Sequence, residues 1–109
     1  MEKVFNKLVR DNIPSIIENN NEVAITRVLS DEEYRIELYK KLKEECEEVI
    51  NSKNQGETLE ELADVIEVLM SIARLENKNI EDVMDVANQK RIKRGGFEKR
   101  IFLEKTYKK

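Results

Sequence analysis

Residues 58–73 read "TLEELADVIEVLMSIA", with apolar side chains at every third or fourth position. That is the period of an α-helix. Leu59, Leu62, Val65, Ile66, Leu69, Met70 and Ala73 are expected on its inner face. With Val65, Val68 and Ile72 carry the apolar arc beyond the main stripe, over more than half the circumference. A helix this apolar is covered on more than one side. Two acids interrupt it. Glu61 projects into the arc between the directions of Val65 and Val68, and Asp64 sits at its edge. A carboxylate placed there is neutralised or meets a cation, either a divalent ion or a Lys or Arg. Thr58 is expected to cap this helix, and a competing reading makes Glu61 the last residue of a Thr-x-x-Glu capping box.

The preceding stretch, "KLKEECEEVI" at residues 41–50, carries Glu44, Glu45, Glu47 and Glu48 around the only cysteine. Ser30 and Glu33 form a capping-box pattern that opens this helix. Leu38, Tyr39, Leu42, Cys46, Val49 and Ile50 give it an apolar stripe, and it is expected to end near residue 52. Cys46 reads as a small core residue, and Glu47 and Glu60 as solvated surface. Glu45 and Glu48 are one turn apart, as are Glu61 and Asp64, so each helix offers a pair of neighbouring carboxylates. An all-oxygen donor set suits a hard cation, magnesium or manganese, better than zinc.

The chain has 109 residues, 39% of them charged, with a net charge of only −3. One domain over residues 1–109 is expected. Mixed charge argues against a nucleic-acid polymer as partner. No apolar run is long enough to cross a membrane. "MEKVFNKLVRDN" lacks the apolar core of a secretory signal, and a lone cysteine gives no intrachain disulfide, so a cytoplasmic location is expected. There is no histidine, which removes histidine bases, Ser-His and Cys-His nucleophiles, and the usual zinc sites.

Outside the acidic helices, "DNIPSIIENN" predicts a short helix with Asn12 as N-cap and Pro14 in the first turn. "EVAITRVLS" predicts a short strand or a packed connector. A last helix is predicted from Asn79 through Ile80, Val83, Met84 and Ala87 to Gly95-Gly96, and the tail reads as extended or irregular. The apolar face of that last helix continues into Lys90, Arg91 and Arg94. These cations suit a helix C-terminus and equally a clamp for phosphates.

"EECEE" followed by "EELAD" resembles the EExxE–ExxD signature of the MazG-like all-α nucleoside triphosphate pyrophosphohydrolases. This superfamily includes dimeric dUTPases, dCTP pyrophosphatases and phosphoribosyl-ATP pyrophosphohydrolases. "NKLVRDNIP" and "KRGGFEKR" are similar to its phosphoribosyl-ATP pyrophosphohydrolase-like, house-cleaning branch. The resemblance implies an all-α fold, a helical bundle completed as a homodimer or homotetramer, with short extended N- and C-terminal segments. It implies Mg2+ held by Glu45, Glu48, Glu61 and Asp64, with Glu44 in support and Glu45 or Glu48 as base. It implies hydrolysis of a nucleoside triphosphate or related nucleotide to the monophosphate and pyrophosphate. Asn88, Arg91 and Arg94 match the family's basic positions, with Lys90 close by, and Lys7 and Arg10 match the branch's N-terminal stretch. All six are carried as phosphate contacts. The missing histidine departs from the phosphoribosyl-ATP enzymes and speaks against a role in histidine biosynthesis. The alternative from another class is a non-catalytic helical oligomeric module, an adaptor or antitoxin-like partner, with the same apolar stripes and no ion site.

Overall fold

The computed structural model describes residues 1–109 and is all-helical. Its elements are α1 (Ile13–Asn19), α2 (Asp31–Ile50), α3 (Gln55–Leu75) and α4 (Ile80–Arg94). No strand forms, and the tail beyond α4 is irregular. Residues 22–30 form no regular element, and Val23, Ile25 and Val28 are exposed with only Ala24 and Leu29 half-buried, so the expectation of a strand or packed connector fails. β-branched residues favour extended backbone, but a strand needs a paired neighbour and none is present.

Local chemistry fixes the helix starts. The Ser30 hydroxyl accepts from the Glu33 N–H, and the Glu33 carboxylate accepts from the Ser30 N–H, closing the expected capping box of α2. Arg27 grips the same carboxylate with two nitrogens at 2.9 and 3.2 Å. Asn79 and Asp82 cap α4 in the same reciprocal way. Asn12 is the N-cap of α1 with Pro14 in the first turn, but its side chain makes no capping bond. The start of α3 differs from expectation. Asn54, not Thr58, is the N-cap, its side chain accepting from the Glu57 N–H at 2.9 Å. Glu57 then accepts from the Lys53 N–H at 2.8 Å. Thr58 lies inside the first turn, donating to the Asn54 carbonyl. Asn outranks Thr as a cap, and the helix takes the earlier start.

The connector at residues 51–54 is too short for anything but an antiparallel hairpin of α2 and α3. Contacts at both ends confirm it: Arg35 meets Glu76, and Glu45 approaches Glu61. Burial gives the register. Among the covered residues of α3, Thr58, Glu61, Val65, Val68, Ile72 and Leu75 form one series. On α2 the matching series is Tyr34, Leu38, Lys41, Glu45 and Val49. Each is a three-four repeat, the spacing of helices packed side by side. Leu38, Val68 and Ala73 are the only buried residues.

A second repeat runs one residue further along each helix. Leu59, Leu62, Ile66 and Leu69 on α3, and Tyr39, Cys46 and Ile50 on α2, are all exposed. One residue is a rotation of about 100°. In an antiparallel pair, the same rotation on both helices turns toward the same side of the hairpin. The two stripes therefore form one apolar face. This corrects two expectations. The inner face predicted for residues 58–73 is largely the outer one. Cys46 is not in the core but on that face, because α3 packs a third of a turn away, over Glu45. Residues one position earlier, Glu44, Glu48, Glu60, Asp64 and Glu67, turn by the same logic to the opposite side. The hairpin is thus apolar on one side and acidic on the other.

The α4 helix touches only α3, through a few residues, and every residue from Glu81 onward is exposed. Lys90, Arg91 and Arg94 therefore have no inward face, contrary to the face predicted from periodicity. The Cα radius of gyration is 18.9 Å, against about 13 Å for a compact chain of this length. The accessible surface is 10556 Å², against about 6300 Å² for a folded monomer of this mass.

Candidate metal centre

The acids on the hairpin converge where α2 and α3 face each other. Glu45, Glu61 and Asp64 each offer a carboxylate oxygen, and these oxygens lie within 4.8 Å of one another. The pairing is long-range in sequence and follows from the register just described. Glu45 and Glu61 belong to the mutually covered series, while Asp64 stands one step toward the acidic side. The Glu45 side chain is 12% exposed and Asp64 39% exposed. Glu48 is exposed and lies outside the three-oxygen cluster, yet close enough that its charge bears on Glu61. Glu44 is half-buried beside Glu45.

Cations flank the cluster without filling it. Lys41, 19% exposed, reaches Glu44 at 3.5 Å and Glu45 at 3.6 Å. Arg10 donates to Asp64 at 2.6 Å and lies 3.8 Å from Glu67. Glu61, between them, has no hydrogen bond or ion pair from any cation. Because Asn54 and Glu57 form the cap of α3, Glu61 is also free of the capping role. Desolvation raises the Glu61 carboxyl above its ordinary value, and the charges of Asp64, Glu48, Glu45 and Glu60 raise it further. Desolvation and these four acids thus disfavour the ionised form of Glu61.

The donors fit a hard dication. They are all carboxylate oxygens, from two rigid helices, and no nitrogen or sulfur ligand is at hand. Cys46, the only thiol, sits on the apolar side of α2, about 100° round the helix from Glu45.

The basic candidates lie elsewhere. Asn88, Lys90, Arg91 and Arg94 are on the exposed outer half of α4, and none bonds to the acidic cluster. Arg91 is paired with Glu98 of the tail. That pair folds over Gly96, where a Cβ would displace the ends of these two side chains. The φ of 84° at Gly95 turns the chain back after α4. Of the two N-terminal candidates, Arg10 is drawn to the acids, while Lys7 lies 5.8 Å from the Phe5 ring.

Lys41, Glu67 and Glu98 were not singled out in the sequence. Lys41 stands three and four residues before Glu44 and Glu45, a spacing that signals a helical ion pair. Glu67 extends the three-residue row Glu61-Asp64. Glu98 carries no such signal, because its meeting with Arg91 depends on the turn at Gly95.

Comparison with curated proteins and with solved structures gives no significant match. The family described as the MazG nucleotide pyrophosphohydrolase domain matches residues 35–96, more than half of the chain. The matched span runs from the second turn of α2 to the Gly95-Gly96 turn and includes every acid of the cluster. With this span and this pair of acid-bearing helices, the chain belongs to the MazG nucleotide pyrophosphohydrolase domain family.

Proposed function

We propose that the protein is a Mg2+-dependent nucleoside triphosphate pyrophosphohydrolase that releases a nucleoside monophosphate and pyrophosphate. The observation that carries this reading is Glu61: a carboxylate on the hairpin seam, facing Glu45 and Asp64, with no cation of its own. Membership of a nucleotide pyrophosphohydrolase family supplies the reaction class.

In this reading Glu45, Glu48, Glu61 and Asp64 hold Mg2+, or Mn2+ in its place, and Glu44 supports them. A dication held there would neutralise charge on the triphosphate and make a water more acidic. Glu45 or Glu48 accepts the proton of that water as it attacks phosphorus at the α–β linkage. Attack at the α-phosphorus expels pyrophosphate with the bridging oxygen, and attack at the β-phosphorus expels the monophosphate with it. Asn88, Lys90, Arg91 and Arg94, joined by Lys7 and Arg10, hold the phosphate oxygens and stabilise the charge that develops on them. Noncanonical nucleotides, and a house-cleaning role in the cytoplasm, fit the N-terminal and "KRGGFEKR" stretches.

The active form in this reading is a homodimer or homotetramer. The chain exposes about 4200 Å² more than a monomer of its mass should. A standard interface takes only about 800 Å² from each partner. The apolar face of the hairpin meets the same face of a second copy, making a four-helix bundle with the acids turned outward. Within one chain no α4 cation bonds to the acids, so a second copy also gives these cations a route to them.

The test is pyrophosphate release with Mg2+ from a panel of nucleotides. Glu61→Gln and Asp64→Asn are expected to abolish it while helical content persists. If both variants hydrolyse normally, the site assignment is wrong. A non-catalytic module would instead give no turnover and no rise in melting midpoint with Mg2+ and a non-hydrolysable nucleotide.

A further inference from the structure

Arg10 lies outside the span matched by the family, on the segment before α1. It is nonetheless the only arginine or lysine bonded to an acid of α3 within the cluster. We propose that Arg10 is an exchanging latch: it caps Asp64 while the site holds no dication, and moves to the phosphate oxygens of the ligand once the site is loaded. This rests on the metal reading above and adds to it a coupling between ion binding and the N-terminal segment.

The argument is one of competing charges. Arg10 donates to Asp64 at 2.6 Å, and Asp64 is one of the three carboxylates that converge. The partners are exposed to 55% and 39%. An ion pair that open is weak, about fivefold or less in an equilibrium constant. A dication held by Glu45, Glu61 and Asp64 draws on the same carboxylate and repels the guanidinium with twice a unit charge. The pair therefore gives way, not the ion. Arg10 is then a planar two-pronged donor without its acid, beside a site that takes a polyphosphate. That geometry suits phosphate oxygens as well as it suits a carboxylate. Glu67, 3.8 Å away, keeps the guanidinium near the cluster during the exchange.

The exchange makes two predictions of opposite sign for one substitution. In the full-length chain without nucleotide, Arg10→Gln should bind Mn2+ tighter than wild type by roughly three- to tenfold, read from the free Mn2+ signal in electron paramagnetic resonance. Lys3→Gln removes the same charge from the same segment without touching an acid, and should change Mn2+ affinity less than twofold. With Mg2+ present, Arg10→Gln should bind pyrophosphate roughly tenfold more weakly, by calorimetry. Amide exchange of residues 4–12 in the wild type should quicken with Mg2+ alone and slow again with Mg2+ and pyrophosphate. Equal or weaker Mn2+ binding by Arg10→Gln overturns the latch, as does unchanged pyrophosphate affinity or an equal gain from Lys3→Gln. If neither wild type nor Arg10→Gln binds Mn2+, the metal reading itself falls, and the latch with it.

Discussion

Replacing Ile66 by Ala tests the claim that the hairpin's apolar face is covered by a second copy. Ile66 lies at the middle of the exposed stripe on α3 and is 51% exposed in the single chain. Fully burying an isoleucine side chain is worth about 1.5–3 kcal/mol. Half of that burial is already supplied within the chain, leaving about 0.75–1.5 kcal/mol for the partner. In a two-fold symmetric interface the residue counts twice, so the dimer loses about 1.5–3 kcal/mol. That weakens association by roughly 10- to 150-fold. Sedimentation velocity over a concentration series measures the change directly. Cys46 shares the apolar face, so its alkylation rate offers an independent reading, slow in the assembly and fast in the dissociated chain. A wild type that stays monomeric at high micromolar concentration would refute the reasoning, as would an Ile66→Ala protein that associates as tightly as wild type.

Three further outcomes follow from the local chemistry. Desolvation, then the charges of Asp64, Glu48, Glu45 and Glu60, raise the Glu61 carboxyl above its ordinary value, so metal-free folding favours its protonated form. Its contribution is present at low pH and is lost as pH rises through the folded value. Glu61→Gln should therefore raise the metal-free melting midpoint at neutral pH but not in acid, and should erase the stabilisation by Mg2+. Glu33 runs the other way. Hydrogen bonds from Arg27, then from the Ser30 backbone, lower it to about 2. Its contribution is present above the unfolded value and is lost as pH falls toward the folded one. Glu33→Gln should melt lower than wild type at neutral pH and converge with it in strong acid, by circular dichroism. Asn54→Ala removes the cap of α3 and should cost about 1 kcal/mol in chemical denaturation.

The parts of the fold that depend on neighbours a few residues away were legible in the sequence. Helix period, the Ser30–Glu33 box, the start of α4 at Asn79 and the glycine stop of α4 all act within one or two turns. The carboxylate pairs were legible for the same reason, since residues three apart on a helix adjoin. What the sequence concealed was which apolar stripe faces inward. Both Leu59-Leu62-Ile66-Leu69 and Val65-Val68-Ile72 have helical spacing, and periodicity cannot rank two stripes on one helix. The polar members of the covered series, Glu61 and Glu45, disguised it. Thr58 misled because a Thr-x-x-Glu pattern inside a helix looks like one at its start. The pairings Arg10–Asp64 and Arg91–Glu98 depend on how irregular segments fold back, for which no period exists.

The central claim is the reaction, and phosphorus NMR of a nucleotide triphosphate panel incubated with the protein and Mg2+ tests it most directly. The account predicts equal growth of nucleoside monophosphate and pyrophosphate resonances for at least one nucleotide, only when a dication is present, and none with Asp64→Asn. Release of a diphosphate and orthophosphate, or no turnover across the panel, would contradict it.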